Sequence, residues 1–411
     1  MARLNPENIN SVLIIVALVM LPIYQGALSL VLAGLIGNAV FAFLRDKPAK
    51  AILSSVFLRW SVVYALMYLL GMIGTNDPTL AQFDAVQKTS VALLAFLMIS
   101  GGLNGISALF ERASKAFVLA NLTALVACFG LSLQTYLQHG DWHAFYYVNL
   151  SHFMHTGYFS MYLCFCIALL LSDYGTEKCP FNPKISSLLI LFFTIGIYLL
   201  ASKSALITLL AIYLAFGLRW IQDKVKSTQS RIIIGVSAMI LAISLAFLPV
   251  PFNRLNTLIK DIRTYSVKDD HAVDTAGQRI LVWQSTWAVI KNNFWIGTGV
   301  GNDNEALNQE YQKRGHDFLF EKKLNAHNQF LQTFLALGVG GFLFLIMYMG
   351  LPIFYGIKNR DFLMIIFGLI ILINSLTESI LNRQAGIVFW TIWGVLLFAR
   401  NQFRLMQKLN L

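Results

Sequence analysis

Residues 328–350 read NQFLQTFLALGVGGFLFLIMYMG, a predominantly apolar run without a charged side chain. A transmembrane helix needs about 20 such residues, because the hydrocarbon core of a bilayer is about 30 Å thick. Lipid offers no hydrogen-bond partner to a free backbone N–H or C=O group, so a run of this length is expected to be helical. The stretch therefore predicts a membrane-spanning helix.

Runs of the same kind recur along most of the chain. The protein has 411 residues, of which 57% are hydrophobic and only 12% are charged. A soluble domain of this size could not bury so much apolar surface, so the composition excludes a soluble globular protein. We predict an all-α, polytopic integral membrane protein with about twelve transmembrane helices and one long periplasmic loop. The predicted spans are residues 10–24, 26–44, 52–73, 85–103, 115–137, 152–172, 185–201, 204–220, 232–250, 328–350, 361–380 and 385–402.

Lysine and arginine indicate the side of each loop, because positively charged loops stay in the cytoplasm. The loops at 74–84 and 138–150 contain neither residue, whereas the loops on the other side carry most of them. Both termini are therefore predicted to be cytoplasmic, and residues 251–326 to form a partly helical periplasmic loop. This loop divides the chain into two membrane units, residues 1–250 (about nine spans) and 327–411 (about three spans). The net charge of +11 mostly reflects this anchoring, and no basic–aromatic module for nucleic acid accompanies it.

One histidine stands where the long loop meets the span at 328–350. His327 lies in NAHNQFL (325–331), which runs into LALGVGG (335–341). Imidazole is the side chain best suited to exchange a proton near neutral pH, which makes His327 a candidate general base. An interfacial histidine can also be satisfied by water or a helix end, so its position alone leaves both interpretations open.

Lys203 is a cation on the predicted outer side. It lies in LASKSA (200–205), between two apolar runs with almost no loop. A charge at the membrane interface is a functional candidate, because it is costly to place there. The alternative is a side chain that only extends to the lipid headgroups.

Arg279 is a second outer cation, in the segment GQRILVW. Its i, i+4, i+8 spacing with Trp283 and Trp287 places all three near one face of a helix. Two tryptophans on such a face suit the headgroup layer. The glycine-rich GTGVG at 297–301 predicts a tight turn, since it lacks the preceding strand and the lysine of a nucleotide-binding loop.

These three segments resemble motifs of the O-antigen ligase and polymerase superfamily, glycosyltransferases that use glycans linked to undecaprenyl pyrophosphate. The resemblance covers about residues 185–395. It implies that His327 is the general base and that Lys203 and Arg279 bind the donor pyrophosphate. Lysine replaces the family's arginine in LASKSA, and serine replaces the glycine that follows it. The positive charge is kept, but the bidentate fork of arginine is lost.

Five other polar residues are candidates for the substrate cavity. His152 and His155, spaced i, i+3 at the outer start of a span, fit a polar rim, a simple interfacial role or a metal pair, although no third ligand is nearby. Glu378 and Arg383 lie at the outward end of the penultimate span, where pairing with each other is favoured over catalysis. The fifth residue, Asn328, directly follows the candidate histidine.

The resemblance implies an inverting glycosyltransferase without a metal or other cofactor, at the periplasmic face of a bacterial inner membrane. The favoured acceptor is the lipid A-core oligosaccharide, which would make the protein an O-antigen ligase of lipopolysaccharide biosynthesis. A repeat-unit polymerase and a protein O-oligosaccharyltransferase are alternatives within the superfamily. A transporter or flippase is the alternative from another class, although transporters tend to carry their charges near mid-membrane. The expected partners are the lipid-linked donor glycan, lipid A-core and membrane lipids, and not nucleic acid.

Overall fold

The computed structural model describes residues 5–46, 49–103, 105–176, 179–222, 235 and 275–408. Within these residues the chain forms fifteen α-helices. They are α1 (Pro6–Ile23), α2 (Leu28–Asp46), α3 (Ala49–Ser54), α4 (Val56–Leu70), α5 (Pro78–Ser100), α6 (Ile106–His139), α7 (Thr156–Ser172), α8 (Pro183–Leu200), α9 (Lys203–Gln222), α10 (Thr275–Asn292), α11 (Asp303–Lys313), α12 (Asp317–Lys322), α13 (Gln329–Asn359), α14 (Phe362–Ser375) and α15 (Gln384–Lys408).

The helices follow the predicted spans. Seven of them, α1, α2, α5, α6, α8, α9 and α13, are long and apolar enough to cross a membrane, and α4, α7 and α14 are shorter apolar helices. With α15, eleven of the twelve predicted spans coincide with a helix among the described residues. The predicted span at 232–250 lies outside them, apart from Gly235. The predicted all-α, polytopic membrane fold is confirmed.

The centre of the bundle is formed by α7 and α15. Every residue from Thr156 to Leu171 is buried, and α7 packs against α6, α8, α9 and α14. A helix that is apolar on all its faces belongs in the interior of a protein. On α15, Trp390 and Trp393 are fully buried, and the Trp393 ring packs edge-on against Phe165 with centroids 4.8 Å apart. This packing holds the N-terminal end of α7 at a defined position at one end of the bundle.

The described part of the predicted periplasmic loop, residues 275–326, is largely helical. Its helices α10 and α11 pack on each other and on α13, and α12 packs on α11. They share a small apolar core that includes Leu281, Leu307 and Leu319, each at most 2% exposed. The segment thus forms a compact cap beside α13. The division of the chain into units at 1–250, 251–326 and 327–411 stays a prediction.

Helix α13 is interrupted at Gly338, where φ is +65° and ψ is −165°. A break in a helix leaves carbonyl groups of the preceding turn without their helical donors. The glycine-rich turn after α10 supplies new ones: the Thr298 N–H donates to the Leu335 carbonyl (2.8 Å) and the Gly299 N–H to the Ala336 carbonyl (3.1 Å). Irregular backbone in a membrane protein is tolerated where such partners exist.

The two segments approach each other too closely for a side chain at the contact. A Cβ atom on Gly297 would lie 2.5 Å from the Gly338 nitrogen, and one on Gly338 would meet the Trp295 carbonyl. Both glycines also have positive φ values, which other residues rarely adopt. The turn predicted from the glycine motif therefore also docks the end of α10 onto α13. This contact fixes the candidate arginine on α10 relative to the candidate histidine before α13.

Candidate active site

Four predicted site residues meet around one small pocket at one end of the bundle. His155, Lys203, Arg279 and Glu378 line a pocket of about 40 Å³, which we call the basic pocket. They come from the N-terminus of α7, the α8–α9 junction, α10 and the loop between α14 and α15. The other lining residues are Tyr147, Thr156, Gly157, Ala201, Ser202 and Ser204.

A larger cavity adjoins the basic pocket and contains the candidate base. This central chamber has a volume of about 340 Å³ and shares His155 and Glu378 with the basic pocket. His327 and Arg383 also line it. The cations and the histidine therefore line two adjoining cavities. The remaining lining residues are Gln25, Phe153, Met154, Tyr158, Asn325, Ser379 and Ala385.

Two helix N-termini add to the positive potential of the basic pocket. Helix α7 begins at Thr156 and α9 begins at Lys203, and both first turns line the pocket. The α8–α9 junction is this short because Ala201 adopts a left-handed conformation (φ +49°) that ends α8. A helix N-terminus carries about half a positive charge and unpaired N–H groups, both of which attract anions. The backbone thus reinforces the charge of Lys203.

Glu378 connects the arginine to the histidine. Its Oε1 accepts a hydrogen bond from Arg279 Nη2 at 2.6 Å, and its Oε2 lies 3.8 Å from His327 Nδ1. The predicted pairing of Glu378 with Arg383 is wrong, because Arg279 from a distant part of the chain occupies the carboxylate. Burial alone would raise the pKa of Glu378, but the neighbouring His327 and Arg279 outweigh it and hold the pKa below its ordinary value. Glu378 is therefore ionised near neutral pH.

His155 faces both cavities as a neutral ring. It caps the N-terminus of α7, since its Nδ1 accepts a hydrogen bond from the Gly157 N–H at 3.2 Å. This bond assigns the ring proton to Nε2. Burial is the main cause that lowers the pKa of His155 below its ordinary value, so the imidazole is neutral at pH 7. His155 can therefore donate one hydrogen bond to a bound substrate.

Two other predicted cavity residues, His152 and Asn328, line neither cavity. His152 Nε2 lies 3.2 Å from the Ser132 hydroxyl on α6. Asn328 caps α13 by accepting from two backbone N–H groups, and its side chain donates to the Leu376 carbonyl at 3.0 Å. Both side chains thus form hydrogen bonds that connect separate segments of the chain. In the part of the chain that the structure describes, no group of three or more His, Cys, Asp or Glu is arranged to hold a metal ion.

Residues 188–346 match the family model described as O-antigen ligase. This domain belongs to the O-antigen ligase superfamily. The resemblance predicted from the sequence is confirmed, and the matched range contains Lys203, Arg279 and His327. Membership supports a glycosyl-transferring enzyme of the O-antigen ligase or polymerase type, in a chain that is a multi-pass membrane protein. No curated protein matches the chain.

Within the matched range, the backbone at His327 has an unusual conformation. Its φ is +44°, in the left-handed region that non-glycine residues rarely occupy except at turns and functional sites. The Asn325 side chain accepts a hydrogen bond from the His327 N–H at 3.0 Å. The imidazole is 34% exposed. The conformation directs the ring into the central chamber while the neighbouring backbone stays buried.

Two side chains, the half-buried Trp283 and the buried Gln332, hold the backbone of Ala326, the residue before His327. Trp283 Nε1 donates to the Ala326 carbonyl at 3.0 Å, and the Ala326 N–H donates to Gln332 Oε1 at 2.9 Å. Gln332 Nε2 in turn donates to Asp303 Oδ2 at 2.6 Å, and Asp303 is only 2% exposed. Trp283 was predicted to lie in the headgroup layer, and no role was predicted for Gln332 or Asp303. The available signal was an amide, Gln332, within a predominantly apolar span.

We expect Gln332→Leu to lower the rate of glycan transfer by about 10²-fold, because misplacing a catalytic group by about 1 Å costs that much. Leucine is similar in size, so the substitution removes the hydrogen bonds to Ala326 and Asp303 without opening a large cavity. The KM for the donor should change little, since the basic pocket is untouched. Transfer rates per folded enzyme, with folding followed by thermal unfolding, measure this effect.

Gln309→Leu is the matched control, because Gln309 is an exposed residue of the same type on α11. It should retain wild-type turnover. Full turnover in folded Gln332→Leu enzyme would show that these hydrogen bonds do not position His327.

Proposed function

We propose that this protein transfers a glycan from undecaprenyl pyrophosphate to the lipid A-core oligosaccharide at the periplasmic face of a bacterial inner membrane. The observation that carries the proposal is the shared carboxylate. Glu378 joins Arg279, in the basic pocket, to His327, in the central chamber. An anion site next to a proton acceptor is what displacement of a pyrophosphate by a hydroxyl group requires.

In this proposal the donor pyrophosphate binds in the basic pocket. Lys203 supplies a point charge, and Arg279 supplies guanidinium donors beyond the one that Glu378 accepts. The first turns of α7 and α9 add backbone N–H groups. Negative charge grows on the pyrophosphate as its bond to the sugar breaks, so these fixed donors stabilise the transition state more than the bound substrate.

His327 acts as the general base on the acceptor. Its Nδ1 faces Glu378, which leaves Nε2 to take the proton from the acceptor hydroxyl group. The hydroxyl oxygen bonds to the anomeric carbon, and the electron pair of the breaking C–O bond leaves with the pyrophosphate. Attack in one step from the opposite side inverts the anomeric configuration. The scheme uses no metal ion, so transfer is expected to survive EDTA.

We also propose that the site faces the periplasm and that both termini face the cytoplasm. Glu305 is exposed on α11, in the cap formed by residues 275–326, and Lys358 is exposed at the far end of α13. With the native cysteines removed, Glu305→Cys should react with a membrane-impermeant maleimide on intact inner membranes. Lys358→Cys should react only after the cytoplasmic face is opened. The reverse pattern would contradict the orientation.

The lipopolysaccharide profile of a deletion strain tests the acceptor. Loss of all core-attached polymer, restored by the wild-type gene, is the expected result for a ligase. Cores capped with a single repeat unit would indicate a polymerase, and an unchanged profile with loss of glycoproteins would indicate a protein O-oligosaccharyltransferase. Donor glycan that accumulates on the cytoplasmic side would indicate a flippase.

A further inference from the structure

A third cavity shares one lining residue, Arg383, with the central chamber. It lies between α1, α2, α5 and α15 and has a volume of about 400 Å³. This is within the size range of sites for small ligands. We call it the apolar cleft, since its walls are mostly aliphatic and aromatic. They include Leu32, Leu35, Phe83, Val86, Leu93 and Val388.

One end of the apolar cleft is polar and carries the positive charge of Arg383. Gln87, Asn382 and Arg383 line it there. Behind them lies Lys88, a buried lysine (1% exposed) whose ammonium donates to Asn382 Oδ1 at 2.7 Å and to Gln87 Oε1 at 3.2 Å. Arg383 is exposed, and among the described residues its guanidinium group has no hydrogen-bond or ion-pair partner. An apolar cleft with a cationic end matches a lipid that carries an anionic headgroup.

The apolar cleft reaches the candidate base from a different side than the basic pocket does. Arg383 lines both the cleft and the central chamber, so the two cavities adjoin at this side chain. The basic pocket is built instead on α7, the α8–α9 junction and α10. A donor whose pyrophosphate is in the basic pocket could place its chain in the cleft only by crossing the chamber. That path exposes hydrocarbon to His155, His327 and Glu378, which is unfavourable.

We propose that the apolar cleft binds a hydrocarbon chain of the lipid-anchored acceptor and that Arg383 binds a phosphate of its headgroup. The inference rests on the proposed function, and it adds the places where the hydrocarbon chain and the headgroup phosphate of the acceptor bind. The two lipids then approach His327 from separate sides. The donor enters past α9 and the acceptor past α5, so neither must leave before the other binds.

Filling the cleft tests the assignment. Ser29 on α2 and Ser90 on α5 are small lining residues, and tryptophan at either position occupies space that a lipid chain would need. Ser29→Trp and Ser90→Trp should each raise the KM for lipid A-core by at least roughly tenfold, because excluding two methylene groups already costs about that much affinity. The KM for the donor should stay unchanged. Val126→Trp, at a 54% exposed position on α6 that lines none of the three cavities, is the matched control.

A probe that does not depend on turnover completes the test. Lipid A-core carrying a diazirine in one acyl chain should crosslink to α2, α5 or α15 in the wild-type enzyme and less in the two tryptophan variants. A raised KM for the donor instead would assign the cleft to the donor chain. If the KM values for donor and acceptor are unchanged in both tryptophan variants and the crosslinks form elsewhere, the cleft binds bulk membrane lipid. Either result overturns the proposal.

The two hypotheses fail in different ways. If the wild-type enzyme transfers no glycan but the lipid probe still crosslinks in the cleft, the proposed function is contradicted. The proposed acceptor site is then still supported. Transfer by the wild-type enzyme with no effect of either tryptophan would contradict the acceptor site alone.

Discussion

His327→Ala should reduce glycan transfer by about 10²–10⁴-fold, the usual contribution of a general base. His327 is partly exposed and precedes α13, so its truncation opens no large core cavity and folding should be retained. His327→Gln keeps a hydrogen-bonding group near Glu378 but cannot take the acceptor proton. It should be almost as inactive as the alanine variant. The measurement is transfer by purified enzyme from a lipid-linked donor to lipid A-core.

The control for this pair is His139→Ala, which removes an exposed histidine at the end of α6. It should behave as wild type. Full activity in His327→Gln would eliminate the assignment of the base. Activity lost in EDTA and restored by zinc would contradict the metal-independent scheme and direct attention to the remaining histidines.

Lys203→Ala and Arg279→Ala should each weaken transfer by about 10²–10³-fold, comparable to the loss of one transition-state donor. Lys203→Arg should keep much of the activity, because charge is the property that the two side chains share. Arg279→Ala has a second effect in this structure. Without Arg279, the Glu378 carboxylate loses its 2.6 Å partner and can shift relative to His327. Arg279→Ala is therefore expected to be the more damaging of the two.

Lys313→Ala, at an exposed lysine on α11, separates a local effect from a general loss of positive charge. It should leave both the donor KM and the turnover unchanged. Wild-type turnover in both Lys203→Ala and Arg279→Ala, at normal membrane levels, would reduce these residues to membrane anchors.

The sequence determined the membrane fold because span length is a local property. The run at 328–350 needs no knowledge of its neighbours to be helical in lipid, and α13 begins within one residue of it, at Gln329. The three basic candidates could be identified for the same reason. Each lies in a short segment in which a polar or charged residue is next to an apolar run. The family match over residues 188–346 contains all three.

The structural roles of the glycines could be predicted only in part from the sequence. GTGVG indicated a turn through local backbone preference. It did not indicate that the turn would meet the break at Gly338, because a missing Cβ is informative only once the opposite backbone is known. The contact between Gly297 and Gly338 is a property of how α10 docks on α13.

Only the tertiary structure decided the connections within the site. Spacing favoured Glu378 with Arg383, five positions apart, but the carboxylate pairs with Arg279, 99 positions away. The i, i+3 spacing of His152 and His155 would align two side chains only inside a helix, and α7 begins after both, at Thr156. Which partner a buried charge takes depends on helix packing and desolvation across the whole bundle, and neither is a property of a short segment of sequence.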